Sequence, residues 1–255
     1  MPSLWLTSDH TLNIAHRGAS AVAPPNTLAA FRRAADLGAD GVELDVHLCA
    51  DGVPVVIHDF TVDATTDGSG RVGDMPLAAL RELDAGSRFD PAFAGERIPT
   101  LEEVFAEVGG RLLINVELKS MPGSDYPGLE AAVAALIRRH GLAERVLVSS
   151  FNPFALRRFR REMPAVPLGF LYETAPLSRA ARLVAALIRL QPQAVHPWWG
   201  VITPQTVRQA HARGRRVVAW TVDDPAAMAR LVKWGVDAII TNYPDRMRPL
   251  MRQCI

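Results

Sequence analysis

The sequence predicts an α/β protein, a closed (β/α)8 TIM barrel with a small insertion between the second strand and the helix that follows it. Three observations carry this reading. Short apolar or alternating runs recur along the chain, each followed by a capped amphipathic stretch, the pattern of βα units on a parallel sheet. Eight such runs can be marked off. The chain of 255 residues also has the usual size of this barrel, about 250 residues. A doubly wound open sheet is the runner-up, but the Gly-rich phosphate loop expected after its first strand is missing. No linker or shift in composition divides the chain, so residues 1–255 read as one domain.

The elements follow in order. LNIAHRG (12–18) is the first strand, and NTLAAFRRAADLG (26–38) its helix; GVELDVHL (41–48) is the second strand. LLINVELKS then GLEAAVAALIRRHG, and RVLVSSF then NPFALRRFRREMP, repeat the unit. PLGFLYE precedes an apolar helical stretch at 177–191, AVHPWW precedes TPQTVRQAHARG, VVAWTV precedes DPAAMARLVKWG, and AIITNYP is the last strand. Asn26, Ser178 and Asp224 are expected as N-caps, with Pro225 in the first turn, and Gly38, Gly141, Gly214 and Gly235 close helices.

One stretch breaks the rhythm. Between the second strand and TLEEVFAEVGG lies a long connection rich in Asp, Gly and short turns, so a hairpin and insertion are expected at about 46–99. VELDVHLCADGVPVVIHD opens it as a hairpin, because Asp51-Gly52 is a turn signal between β-branched runs. A turn centred between Ala50 and Asp51 sets Glu43 opposite His58.

Composition narrows the function. Lys and Arg number 28 against 27 Asp and Glu, a formal net charge of +1, so no global field recruits nucleic acid or an anionic membrane. Cys49 and Cys254 give neither a disulfide framework nor a zinc spacing, which fits a reducing compartment. The start lacks the pattern of a signal peptide, and three arginines interrupt the apolar stretch at 177–191. The expectation is a cytoplasmic protein with no stable membrane insertion; nothing in the sequence specifies an oligomer.

The chemistry lies at strand ends. Period-two alternation puts Glu43 and Asp45 on one face of their strand, and Glu117 and Lys119 on one face of theirs. Carboxylates in an apolar barrel strand require partners or a metal, because an unpaired buried charge is very costly. Glu43, Asp45 and Glu117 suit one hard divalent cation, Mg2+ or Ca2+, while His16 and His58 keep zinc open. Arg17 and Lys119 can clamp phosphate oxygens, and His16 and His58 can share general acid and base roles. AHRG, ELDV, HD and ELK all fall at or near putative C-terminal strand ends, the face where barrel enzymes place their sites. The reaction implied is phosphodiester hydrolysis. Phe151, Tyr172, Trp198, Trp199 and Trp220 are candidates for an apolar wall, Phe151 and Trp220 foremost. Asn242 is a weaker polar candidate, and His47 and His196 stay outside the catalytic set.

These residues make the chain resemble the glycerophosphodiester phosphodiesterase family across nearly its whole length. The matching pieces are AHRGAS with NT, GADGVELDVHL, DGVPVVIHDFTVDATTDGSG, ERIPTLEEVF, NVELKS, VLVSSFNPFAL, VVAWTV and GVDAIITNYPD. The resemblance implies a (β/α)8 barrel with an insertion after the second strand, a divalent metal held by Glu43, Asp45 and Glu117, and a His16/His58 acid-base pair. It further implies a small-molecule substrate, a glycerophosphodiester hydrolysed to glycerol 3-phosphate and an alcohol. One departure stands out: family members commonly read PENT where this chain has PPNT, so Pro25 replaces a glutamate. Two rival readings remain, a phospholipase D-like or sphingomyelinase-like lipid phosphodiesterase and a catalytically silent phosphodiester-binding barrel.

Overall fold

The computed structural model describes residues 3–120, 126–173 and 176–251. After a short helix, α1 (Leu4–Thr7), the units run β1 (Leu12–His16), α2 (Leu28–Asp36), β2 (Gly41–Leu48), β3 (Pro54–Val56), α3 (Leu77–Glu82), α4 (Leu101–Val108), β4 (Leu113–Leu118) and α5 (Leu129–His140). They continue with β5 (Val146–Ser150), α6 (Pro153–Glu162), β6 (Leu168–Tyr172), α7 (Pro176–Leu187), β7 (Ala194–Pro197), α8 (Pro204–His211), β8 (Arg216–Ala219), α9 (Pro225–Lys233), β9 (Ala238–Thr241) and α10 (Pro244–Met251). Every strand except β3 pairs in parallel with its neighbours, and a β1–β2 pairing closes the ring. The (β/α)8 barrel expected from the sequence is therefore present, with the insertion between β2 and α4.

Alternation along the strands sorts the side chains into two layers. Leu12, Ile14, Leu113, Leu147, Val218 and Ile240 form one buried cluster inside the barrel. Val42, Leu44, Ile114 and Val116 face the other way, against Phe31, Phe105, Leu129 and Phe159 of the surrounding helices. The insertion packs a small core of its own from Cys49, Val55, Ile57, Val62, Val72, Leu80 and Ile98. Cys254 lies outside the described residues. No helix among the described residues is long and apolar enough to cross a membrane.

Three local expectations are corrected. In the hairpin, Val46 pairs with Val56, His47 with Val55 and Leu48 with Pro54, so the turn is centred on Asp51 and position 43 aligns with Asp59, not His58. The loop holds one more residue than expected: the Cys49 N–H donates to the Val53 carbonyl at 3.1 Å, and Gly52 closes it at φ 73°. Asn26 is not a helix cap. Thr27 caps α2 by accepting from the Ala30 N–H, which frees Asn26 for another task. Ser178 falls inside α7 and not at its start. Asp224 does cap α9, with Pro225 in its first turn.

The barrel interior also holds His196, fully buried, with neither ring nitrogen bonded to a partner among the described residues. Burial pushes its pKa down from 6.5 to about 3. Between those values the unfolded chain takes up a proton that the folded chain refuses, so stability falls as pH drops through this window. One such group contributes a slope of up to about 1.4 kcal/mol per pH unit. Urea unfolding of His196→Gln across pH 6.5 to 4 is expected to show a shallower loss of stability than the parent; equal slopes would mean that His196 takes up its proton in the folded state.

Candidate active site

The register of three adjacent strands assembles the acidic cluster. His16 aligns with Glu43, Glu43 with Asn115, and Asp45 with Glu117. All of these share the parity of Ile14 and Leu113, so they point into the barrel beyond its apolar layer. Glu43 and Asp45 are 3% and 1% exposed, which makes the cost of their charge decisive. One carboxylate oxygen from each of Glu43, Asp45 and Glu117 lies within 4.8 Å of the others.

Their electrostatics differ. Asp45 is buried, which favours its neutral form, yet the charges of Lys119 and Arg17 outweigh burial and hold it well below the usual carboxylate range. Lys119 Nζ lies 2.9 Å from Asp45 Oδ1, and Arg17 Nε lies 3.2 Å from Asp45 Oδ2 as an ion contact without hydrogen-bond alignment. Glu43 is relieved less: the charges of Arg17 and Lys119 act on it too but do not offset what opposes its ionisation. Burial, then the charges of Asp45 and Glu117, raise its pKa well above the ordinary value. Among the described residues its hydrogen-bond donor is the Arg17 backbone N–H, at 3.2 Å from Oε2. A cation placed among the three carboxylates removes this penalty, so the donor set fits a hard divalent ion: all oxygen, anionic and prearranged.

The loop after β1 supplies one cation, Arg17, and a brace. Arg17 and Gly18 both take positive φ, 55° and 81°, and a Cβ at Gly18 would stand 2.6 Å from the Ala30 backbone. Glycine at 18 therefore lets α2 approach the strand end. Downstream, Asn26 sits at φ 61°, and its Nδ2 donates to Asp45 Oδ2 at 2.8 Å. Pro25-Asn26 has the signature of a type II turn, with proline at the second position and an asparagine that tolerates left-handed backbone at the third. Pro25 thus suits the turn that aims Asn26 at Asp45, and it lines a small cavity with Arg17, His58 and Asp59. Asn26→Ala removes a hydrogen bond to a buried carboxylate, so a loss of about 1.5–3 kcal/mol in stability is expected by chemical denaturation; an unchanged midpoint would rule out the brace.

The two histidines come from different elements, His16 from the end of β1 and His58 from just past β3. His16 Nδ1 lies 2.7 Å from Asn242 Oδ1, while Nε2 lies 3.9 Å from Glu43 Oε2. Burial, then the Arg17 charge, pushes His16 down to about 4, so the ring is neutral near pH 7. His58 bonds Asp59 Oδ1 through Nδ1 at 2.6 Å. His47 supports it. The His47 Nε2–H donates to the His58 carbonyl at 3.0 Å, which leaves Nδ1 to accept from the Tyr126 hydroxyl at 2.8 Å.

Lys119, expected at a phosphate, uses two of its donors on Asp45 and Glu117, each at 2.9 Å, and the third has no partner among the described residues. Phe151 and Trp220 meet edge to face at 5.5 Å, and the Trp220 indole N–H is tied to the His196 carbonyl at 2.7 Å. Tyr172 stands apart. It lines a cavity of about 290 Å3 between α7 and α8, under the Arg182 guanidinium. Sequence reasoning missed Asn26, Asp59 and Asp223 as polar contributors; the readable signal was the pair of adjacent aspartates at 223 and 224, of which a helix cap needs one.

Residues 16–246 match the Glycerophosphoryl diester phosphodiesterase family. The chain belongs to that family. A glycerophosphodiester phosphodiesterase of Caldanaerobacter subterraneus subsp. tengcongensis is 44% identical over 247 residues, covering 95% of this chain and 98% of the relative. An Oleispira antarctica phosphodiesterase, solved in complex with the product sn-glycerol-3-phosphate, superposes with a TM-score of 0.83 at 34% identity, over 94% of this chain and 96% of that one. Glycerophosphodiester phosphodiesterase from Agrobacterium tumefaciens gives 0.80 at 31%, over 94% and 99%. The family resemblance read from the sequence is thereby confirmed, and so is the fold that came with it.

Proposed function

We propose that this protein hydrolyses glycerophosphodiesters to glycerol 3-phosphate and an alcohol, with a divalent cation, Mg2+ or Ca2+, held by Glu43, Asp45 and Glu117. The observation that carries this reading is the convergence of three buried carboxylates beside two histidines that have separate hydrogen-bond partners. The bound product of the Oleispira relative supports the substrate class. When bound, a divalent cation supplies charge stabilisation at phosphoryl oxygens. Arg17 and the free donor of Lys119 hold the phosphate, and Phe151 with Trp220 forms a wall for the leaving alcohol. A cytoplasmic setting follows from the cysteine pattern, and the hairpin and insertion at about 46–99 act as one working unit with the barrel, because His58 is carried on it.

His16 and His58 move the protons. In the first step the glycerol 2-hydroxyl attacks phosphorus as one histidine takes its proton. The bond from phosphorus to the alcohol oxygen breaks, and that oxygen takes a proton from the other histidine. A water then opens the cyclic phosphate with the roles reversed, giving glycerol 3-phosphate. A nucleophile already tethered to the phosphate has a large effective concentration, which favours this route over direct water attack. Turnover of a substrate analogue lacking the 2-hydroxyl is expected to be very slow while binding persists; normal turnover would assign the attack to water. Sphingomyelin and intact phospholipid are expected to be turned over far more slowly than glycerophosphocholine, and the reverse order would favour the lipid phosphodiesterase reading.

A further inference from the structure

His16 presents its two ring nitrogens to different surroundings, and which of them carries the proton follows from Asp223. Asp223 Oδ1 accepts from the Thr241 hydroxyl at 3.0 Å and from the Asn242 backbone N–H at 2.9 Å. Its Oδ2 faces the side-chain amide of Asn242 at 2.6 Å. A carboxylate oxygen can only accept, so the amide turns its nitrogen toward Asp223 and its oxygen away. That oxygen accepts from the Ser20 hydroxyl at 2.7 Å and stands 2.7 Å from His16 Nδ1. An amide oxygen cannot donate, so His16 Nδ1 bears the hydrogen. The neutral ring has one such hydrogen, and Nε2 faces the site as a bare lone pair.

We propose that Asp223 is a positioning residue: through Asn242 it holds His16 in the Nδ1–H tautomer, so that Nε2 can accept the proton of the attacking hydroxyl. This rests on the reading of His16 as a proton-transfer residue and deepens it, since it makes His16 the base of the first step and His58 the acid. After the transfer both ring nitrogens carry hydrogen, and the Nδ1–H stays on Asn242 Oδ1. Asp224, next in the chain, caps α9, so the helix start does not account for Asp223.

The test is an isosteric exchange read by spectroscopy and kinetics. In Asp223→Asn the new side chain's oxygen can keep Thr241 and the Asn242 backbone, but its NH2 then confronts the NH2 of Asn242. Asn242 is expected to turn over and donate to His16 Nδ1, moving the ring hydrogen to Nε2. Nitrogen-15 NMR of the full-length protein near pH 7, with His16 assigned by subtraction of a His16→Asn spectrum, is expected to show hydrogen on Nδ1 in the parent and on Nε2 in Asp223→Asn. The kcat for glycerophosphocholine should fall by about 10²-fold or more, with little change in KM.

The double variant Asp223→Asn/Asn242→Asp restores the pattern, because the introduced amide donates to the introduced carboxylate, whose second oxygen again accepts from Nδ1. It should recover the parent tautomer and most of kcat, an outcome that a merely structural role for Asp223 does not give. Hydrogen remaining on Nδ1 in Asp223→Asn, or on Nε2 in the folded double variant, overturns the relay; should the single variant not fold, the double variant decides alone. A tautomer that inverts and reverts as expected while kcat stays constant overturns instead the role of His16 as base.

Discussion

His16→Ala and His58→Ala are each expected to lower kcat by about 10²-fold to 10⁴-fold while the barrel stays folded. The reason lies in how little else either side chain does. His58 is carried just past the end of β3, with its side chain 37% exposed, so truncation opens no core cavity. Asp59 loses one partner at the surface, and the His47 clamp on the His58 backbone carbonyl is untouched. His16 lines the barrel mouth, and its loss leaves Asn242 Oδ1 still accepting from Ser20. Steady-state kinetics with thermal melts checks both variants. Unchanged turnover in either one removes that histidine from the mechanism.

The acidic cluster carries the second large effect, and its three members are expected to respond differently. Glu43→Gln, Asp45→Asn and Glu117→Gln should each weaken divalent-metal binding, since each removes an anionic oxygen ligand at nearly constant volume. Stability separates them. Asp45 is the partner of both Lys119 and Arg17, so Asp45→Asn leaves buried positive charge poorly compensated and is expected to cost about 3–5 kcal/mol. Glu43 is held against burial and two neighbouring carboxylates, so Glu43→Gln is expected to leave the metal-free protein as stable as the parent or more so. Titration calorimetry for the metal and melting with and without chelator give both readouts. Full metal affinity in all three variants would remove the proposed site.

Much of this arrangement was readable in the chain. Period two placed Glu43 with Asp45 and Glu117 with Lys119 on single strand faces, and the barrel brings those faces together because β2 and β4 pair directly. The βα rhythm located the strand ends, and hence the side of the molecule that carries His16 and Lys119. What was not readable depended on backbone detail. A three-residue loop cannot be told from a two-residue one by an Asp-Gly signal, so the hairpin register was off by one residue. Asn26 looked like a helix cap because Asn caps helices well, but with Thr27 beside it the cap moved one residue on, and the left-handed turn made Asn26 a ligand of Asp45. Asp223 acts across the barrel closure through Asn242, a contact between strand ends that no local pattern encodes.

The activity proposed for this protein is metal-dependent release of glycerol 3-phosphate. Release of glycerol 3-phosphate from a panel of glycerophosphodiesters, measured after chelation and again on adding Mg2+ or Ca2+, tests it most directly. Release that stops with the chelator and returns with one of the two ions is the expected result. Release that persists in full without metal, or no release from any member of the panel with either ion present, would contradict it.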